Sequence, residues 1–285
     1  MTPKPEPPAN QNRLRIATYN IHKSIGWDRR KRPERIAQVL SEIDADVVAL
    51  QEVACVEGRG PERNQARYLA EELGYQAKMG QTRRYRGGSA GNLVLSRFPF
   101  DHVENYNIST RIHERRCCLR TDIHLPQGEL LHVFNVHLGP LFFERRRQAR
   151  NIFDRQIVCH EGLTGKKIVL GDFNEWTKGL ASRLFGSHFQ CAGTKPTLSG
   201  EGSYPGPLPL LNLDYIYFDR SLKLENLTVH RSRTSLAASD HLPLVAEFSV
   251  RHKNAGKAER AAEWLSNETA LVERRNGGVG RTHRF

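Results

Sequence analysis

The chain has 285 residues, 26% charged and 38% hydrophobic, with a formal net charge of +12 at pH 7. This is the composition of an ordinary globular protein, and no stretch approaches the roughly 20 apolar residues of a membrane-spanning helix. The five cysteines are odd in number and lack any C-x-x-C spacing, which argues against a disulfide framework and a structural zinc site. We therefore expect a cytoplasmic protein without an integral membrane segment. The positive charge favours a polyanionic partner, either nucleic acid or anionic phospholipid, and no protein partner is inferable.

The sequence predicts three regions. Residues 1–13 are polar and Pro-rich and lack the apolar core of a secretory signal, so we expect a disordered lead-in. Residues 14–250 alternate apolar runs with turn residues, as a folded domain does. Residues 251–285 are charged and polar, but apolar positions at 261, 264, 265, 271 and 272 could line one face of a helix. We expect this tail to be partly helical.

Strands and helices alternate in the first part of the domain. Residues 14–20 predict a strand, and Pro33 opens a helical pattern with apolar residues at 36, 39, 40 and 43. The continuous apolar run at 46–51 predicts a buried strand. Residues 64–73 predict a helix that stops at Gly74.

Strands dominate from Gly91 onward. Four are predicted between residues 91 and 138, followed by an arginine-rich helix at 141–160 and a buried strand at 167–173. Three more strands close the domain, at 213–218, 222–229 and 242–250. Many strands between helices predict two mostly antiparallel sheets packed face to face, with helices outside.

Polar side chains stand where the predicted strands end. Asn20 and His22 end the first strand, Glu52 directly follows the second, and His137 ends the alternating run VFNVH. A carboxylate at the depth of Glu52 requires a cation or several hydrogen-bond donors. Each of these residues could instead belong to an ordinary strand end, and a lone histidine there is more often structural.

The most specific segment is IVLGDFNEW. Asp172 and Asn174 lie two residues apart after a buried run and should project into the same space, although an Asx turn would use the same residues. His241, in SDHLPL, needs a carboxylate partner to fix its tautomer. Asp214 and Asp240 are both candidates, and we favour Asp214 because adjacent residues on an extended chain point apart.

These residue types favour a particular chemistry. Hard oxygen ligands with few imidazoles and no thiolates suit Mg²⁺ or Mn²⁺ better than Zn²⁺. A metal ion that neutralises charge, amides that grip phosphoryl oxygens and an imidazole that handles a proton together suit phosphoryl transfer to water.

The ordered set YN, QE, NVH, GDFN, LDYIY and SDHLP resembles the endonuclease/exonuclease/phosphatase superfamily. The resemblance covers roughly residues 14–250 and implies a four-layer α/β sandwich of the DNase I type with a cleft at one end. It implies that Glu52 is the main Mg²⁺ ligand, with Asn20 beside it. It also implies that Asp240 supports the metal region.

The same resemblance implies roles for the remaining residues. Asp172 would orient or deprotonate the attacking water, and Asn174 would hold the phosphate. His137 would contact the phosphate or serve the leaving group. His241, paired with Asp214, would bind the phosphate and stabilise the transition state or transfer a proton.

Two departures narrow the resemblance. AP endonucleases of this superfamily carry an aspartate where this chain has His22, and a tyrosine where it has His137, which counts against abasic-site specialisation. The segments YNIHK, GNLVLSR, VHLG, GDFNEW and PLLNLDYIY are more similar to bacterial hydrolases associated with cardiolipin synthase. His22 and Asn92 are therefore further candidate site residues.

The function expected is hydrolysis of a phosphodiester in nucleic acid or a phospholipid. The alternatives are a phosphomonoesterase and, in another class, a non-catalytic protein that binds nucleic acid or a partner. The third is weakened because every expected acid, amide and histidine is present. No stretch reads as a membrane-insertion segment, which favours nucleic acid weakly, whereas the subgroup resemblance favours a phospholipid and a peripheral location at the membrane.

Overall fold

The structure is a computed structural model of the 285-residue chain. It describes residues 13–250 except 57–59, 61, 62, 86, 111–113, 178 and 193–201. The predicted lead-in, apart from Arg13, and the predicted tail at 251–285 lie outside the described residues.

The described strands form two six-stranded sheets. In the first sheet they lie in the order β11 (Lys223–Val229), β12 (Leu244–Ser249), β1 (Arg13–Asn20), β2 (Val47–Val56), β4 (Gly88–Ser96) and β3 (Gln76–Tyr85). In the second they lie in the order β5 (Phe100–Asn107), β6 (Cys117–His124), β7 (Leu130–His137), β8 (Lys166–Asp172), β10 (Asp214–Phe218) and β9 (Gln190–Cys191).

Helices cover the outer faces of both sheets. They are α1 (Pro33–Ile43), α2 (Gln65–Leu73), α3 (Phe142–Asp154), α4 (Leu180–His188) and α5 (Arg233–Ala238). Apolar residues of α1 and α2, such as Ile36 and Leu69, pack on Tyr19 and Leu50 of the first sheet. Residues of α3 and α4, such as Ile152, pack on the second sheet. The predicted four-layer α/β sandwich is confirmed.

Each sheet contains one parallel pair among otherwise antiparallel pairings. β1 runs parallel to β2 in the first sheet, and β7 runs parallel to β8 in the second. Carboxyl ends of parallel strands meet at one edge of a sheet. Asn20 therefore ends its strand beside the Gln51–Glu52 step, and His137 ends its strand in register with Asp172.

A buried amide network joins the two sheets beneath this edge. The Asn135 side chain donates to the Leu50 and Leu93 carbonyls at 2.9 and 3.0 Å and accepts from Gln51 Nε2 at 2.8 Å. Asn92 Nδ2 donates to two carbonyls of the second sheet, at 3.1 and 3.3 Å. Buried amides are costly unless they are hydrogen-bonded. This network therefore fixes the position of one sheet relative to the other near the candidate site residues.

Several elements differ from the sequence-based expectation. The helix predicted at 141–160 ends at Asp154, because Gln156 takes a left-handed conformation (φ 53°) that no continuing helix tolerates. Strand β3 was not predicted, since it is a polar edge strand with little apolar alternation. Helices α4 and α5 and the two-residue strand β9 were not predicted either.

Candidate active site

A β-bulge turns Glu52 into the cleft. The pairing of β2 with β4 shifts register between Leu50 and Val53, and Glu52 takes a left-handed conformation (φ 56°). Bulges re-aim single side chains in this way. The Glu52 carboxylate remains 27% exposed, and its Oε1 lies 3.5 Å from Asn20 Nδ2.

The chain after Asn20 forms a short left-handed turn. His22, Lys23 and Ser24 all have positive φ, at 44°, 55° and 61°, and the His22 amide donates to Asn20 Oδ1 at 3.0 Å. The turn places Lys23 Nζ 3.4 Å from Glu52 Oε2 and His22 Nδ1 3.7 Å from Asp240 Oδ1. Lys23 was not among the sequence-predicted residues; only its position in the YNIHK segment could have indicated it.

Asp172 occupies the centre of the candidate site. Its neighbour Gly171 has φ 143°, and a Cβ there would lie 1.8 Å from the Val136 carbonyl oxygen. Only glycine permits this close approach, which lets β8 end beside β7. Asp172 Oδ2 accepts a hydrogen bond from Asn20 Nδ2 at 3.0 Å, and its Oδ1 accepts one from the backbone N–H of Asn174 at 2.8 Å.

Two histidines face the same oxygen of Asp172. His137 Nε2 lies 3.5 Å and His241 Nε2 lies 3.8 Å from Asp172 Oδ2. The other ring nitrogen of His241, Nδ1, is 2.9 Å from Asp214 Oδ2. The structure thus pairs His241 with Asp214, the partner that sequence reasoning favours, while Asp240 lies nearer His22.

The two histidines differ in protonation. Burial, with the nearby charges of Arg116 and His241, lowers the pKa of His137 well below its ordinary value. Burial opposes the charged form of His241 too, but the charge and hydrogen bond of Asp214 prevail and raise the pKa of His241 to about 10. At neutral pH the site therefore holds one neutral imidazole and one imidazolium.

Asp172 is a weaker acid than an ordinary aspartic acid. Burial raises the pKa of Asp172 to about 6, and the charge of Asp214 acts in the same direction. The His241 cation and the hydrogen bond from Asn20 oppose the rise. Such a carboxylate is ionised at neutral pH yet basic enough to accept a proton.

Asn174 adopts a left-handed conformation (φ 50°) at the end of the GDFN segment. Its Nδ2 donates to the Leu138 carbonyl at 2.9 Å, which leaves the second N–H of the amide for another acceptor. The remaining candidate, Asn92, lines the cleft, but its amide is committed to the cross-sheet network.

Arg116 is a cleft residue that sequence reasoning missed. It lies just before β6, its side chain is only 11% exposed, and its buried Nε has no hydrogen-bond partner within the described part of the chain. It lines the same cleft as Glu52 and His137. The arginine-rich start of the RRCCLRTDIH segment was the available signal.

The residues present fit Mg²⁺ or Mn²⁺ held largely by water. The described ranges contain no group of three or more His, Cys, Asp or Glu residues able to hold a metal, as a zinc site would require. Mg²⁺ commonly binds one or two carboxylates and keeps several waters. Glu52 offers such a carboxylate beside Asn20, and it lines the cleft.

Comparison with known proteins identifies the family to which this fold and this cluster of acid, amide and histidine groups belong. Residues 17–241 match the model of the Endonuclease/Exonuclease/phosphatase family. The chain is 31% identical over 251 residues to the uncharacterized protein YbhP of Escherichia coli strain K12, covering 83% of this chain and 96% of YbhP. The chain belongs to the endonuclease/exonuclease/phosphatase family, whose members are generally hydrolases of phosphoester bonds and typically depend on a divalent metal.

Solved structures show the same fold. An endonuclease/exonuclease/phosphatase from Beutenbergia cavernae is similar with a TM-score of 0.69 at 23% identity, covering 84% of this chain and 72% of that one. The human Nocturnin catalytic domain, with bound sulfate anion, is similar with a TM-score of 0.67 at 19% identity, covering 84% and 95%. Within the described residues, no helix is long and apolar enough to cross a membrane.

Proposed function

We propose that the chain is a Mg²⁺- or Mn²⁺-dependent phosphodiesterase. One observation carries the proposal: two buried histidines, one of them paired with Asp214, face one buried carboxylate oxygen, that of Asp172. Hydrolysis of a diester needs a group that takes a proton from water and a group that protonates the departing alkoxide. A carboxylate with a pKa of about 6 and an imidazolium meet those two needs.

In the proposed reaction, Asp172 orients a water molecule and accepts its proton as the water oxygen attacks phosphorus. The bond from phosphorus to the leaving oxygen breaks, and that oxygen takes a proton from His241. Asp214 holds His241 in the required tautomer. His137 and the free N–H of Asn174 contact phosphoryl oxygens.

A divalent ion held by Glu52 and Asn20, with Asp240 supporting its surroundings, would neutralise the phosphoryl charge. His22, 3.7 Å from Asp240, would hold that aspartate in place. Asn92 has a structural role in the proposal, since its amide hydrogens bond to the backbone of the second sheet.

The proposed substrate is a phosphodiester of nucleic acid or a phospholipid. A poor alkoxide leaving group makes the proton on His241 valuable, and the net charge of +12 favours a polyanionic strand or surface. The likeness to hydrolases associated with cardiolipin synthase supports the phospholipid. A second candidate is a phosphomonoesterase, favoured by Arg116 and Lys23 in the cleft, since two cations suit a dianionic phosphate.

A side-by-side assay tests the proposal. Purified protein with Mg²⁺ or Mn²⁺ is offered plasmid DNA, RNA, cardiolipin, sphingomyelin, a bis-aryl phosphodiester and the matching monoester, at two ionic strengths. We expect the diester to be cleaved faster than its monoester, and polyanion cleavage to weaken with salt. Faster hydrolysis of the monoester, with no effect of salt, would establish a phosphomonoesterase instead. If no substrate is hydrolysed, the remaining alternative is a non-catalytic binding protein.

A further inference from the structure

Exposed apolar side chains are concentrated around the catalytic cleft. Among the described residues, eight large apolar side chains are exposed, and seven lie in loops or in the first turn of α3, next to segments that carry candidate catalytic residues. Only Val103, on β5, lies elsewhere. Scattered single exposures are ordinary, whereas clustered ones mark an interaction surface.

The first group follows β7 and β8. Leu141, Phe142 and Phe143 come four to six residues after His137, and Trp176 comes two residues after Asn174. Phe143 is 78% and Trp176 64% exposed. The rings of Phe142 and Phe143 lie 5.4 Å apart, edge to face, so that an exposed aromatic pair begins α3 in the segment after His137.

The second group belongs to the other side of the site. Trp27 follows the turn that holds Lys23, and Leu208 and Leu210, 63% and 64% exposed, precede Asp214. The Trp27 ring reaches the 206 position, where a Cβ would lie 3.6 Å from its Nε1. β10 runs antiparallel to β8, so its beginning lies at the same edge as the end of β8. Both groups, which we call the apolar rim, therefore stand at the cleft end of the sandwich.

Exposed arginines accompany each group. Arg29, Arg30 and Arg32 follow Trp27, and Arg147 and Arg150 follow Phe143 on α3; all five are exposed. Aromatic and aliphatic side chains next to arginines are the composition of a surface that lies in the interface of an anionic bilayer. The leucines favour this partner over single-stranded nucleic acid, whose bases stack on aromatic rings.

We propose that the apolar rim docks the protein on anionic phospholipid surfaces, with the catalytic cleft facing the head groups. The inference rests on the proposed function, and it selects the phospholipid from the two substrate classes named there. Exposed aromatic and leucine side chains enter the acyl boundary, and the arginines pair with lipid phosphates. A membrane-spanning segment is unnecessary, because separate loops and the start of α3 together supply the apolar contact.

Vesicle co-sedimentation tests the proposal without requiring turnover. The full chain is mixed with vesicles of phosphatidylglycerol and phosphatidylcholine, or of phosphatidylcholine alone, at low and high salt. The test variant is Leu141→Ser/Phe143→Ser, since serine is accepted where Leu141 precedes the first residue of α3. Val103→Ser is the matched control, and thermal unfolding checks folding. If the test variant does not fold, Leu208→Ser/Leu210→Ser replaces it.

We expect the full chain to bind the anionic vesicles. The test variant should bind them at least about tenfold more weakly, because it lacks the apolar side chains that would be buried in the bilayer. Val103→Ser should bind within about twofold of the full chain. Equal binding by the test variant would overturn the proposal, as would no vesicle binding by the full chain. Duplex DNA binding that the same variant weakens, without vesicle binding, would assign the rim to nucleic acid. A dimer in sedimentation velocity that the variant dissociates would assign it to a second copy.

Because binding is measured apart from hydrolysis, the two proposals fail separately. A protein that binds vesicles but cleaves no phosphoester would remove the proposed function. A protein that cleaves the bis-aryl diester but ignores vesicles would remove only the membrane surface.

Discussion

His241 Nδ1 lies 2.9 Å from Asp214 Oδ2, and both side chains are buried. The pairing joins the loop before β12 in the first sheet to the first residue of β10 in the second. It leaves His241 Nε2 facing Asp172. The imidazole is therefore held in orientation by one aspartate and presented to the other.

If His241 and Asp214 act as one unit, the fold-losses of activity caused by substituting each of them will not multiply in the double variant. His241→Ala and Asp214→Asn should each lower kcat/KM by about 100-fold or more, the range for a lost acid–base or charge-stabilising group. The double variant should be little worse than either single variant, because coupled groups are non-additive. Steady-state kinetics on a bis-aryl diester measures this. Asp240→Asn is the control, and non-additivity of Asp240→Asn with His241→Ala would identify Asp240 as the partner instead.

The pH–rate profile should be bell-shaped. Asp172 must be ionised to accept a proton, so activity should rise as pH increases through its pKa of about 6. His241 must be protonated to donate one, so activity should fall as pH increases through its pKa of about 10. Since the charge and hydrogen bond of Asp214 raise the pKa of His241, Asp214→Asn should move the alkaline limb to lower pH. An alkaline limb that does not move in this variant would contradict the assignment.

The Glu52 carboxylate is proposed to hold the divalent ion. Glu52→Gln keeps the size of the side chain but deletes its charge, so it should lower hydrolysis by at least about 100-fold and weaken metal affinity. The fold should remain intact, because the carboxylate reaches a solvent-accessible cleft. Isothermal titration with Mn²⁺ and thermal unfolding check both points. Glu71→Gln, on the exposed face of α2, is the matched control, and turnover within a few-fold of the unmodified chain would exclude Glu52 as the ligand.

A chelator should silence the unmodified chain in the same assay. Added Mg²⁺ or Mn²⁺ should then restore its activity, because hard oxygen ligands favour these ions. Restoration by Zn²⁺ alone would contradict the ligand set that the cleft offers.

Arg116 should act on binding more than on chemistry. Arg116→Gln removes a cation from the cleft, so it should raise KM about tenfold with a smaller change in kcat, as expected for uniform binding. It should also raise the pKa of His137, which the arginine charge lowers; NMR titration of the imidazole detects this. Arg116→Lys should recover part of the affinity, and Arg67→Gln on α2 is the control. A fall in kcat alone would place Arg116 in the chemical step.

Much of the fold could be read from local sequence. The apolar run at Val47–Leu50 and the helical spacing after Pro33 encode their own elements, because burial of one face follows from residue order. Most of the residues proposed for the site could also be named, since they stand where an apolar strand begins or ends. Those patterns depend only on residues that lie close together along the chain, so they can be recognised in the sequence itself.

The partners of these residues were decided by tertiary structure. The sequence left both Asp214 and Asp240 as possible partners of His241, and the packing of the two sheets selects Asp214. The packing also brings Arg116 and Lys23, from separate segments, into the same cleft as Glu52. The solvent exposure of Phe143, Trp176 and the other rim residues could not be predicted from the sequence either. The local sequence around an apolar residue is the same whether its side chain is buried or exposed to water. Exposure and charge pairing depend on which distant segments fold over a side chain, and only the packed structure determines that.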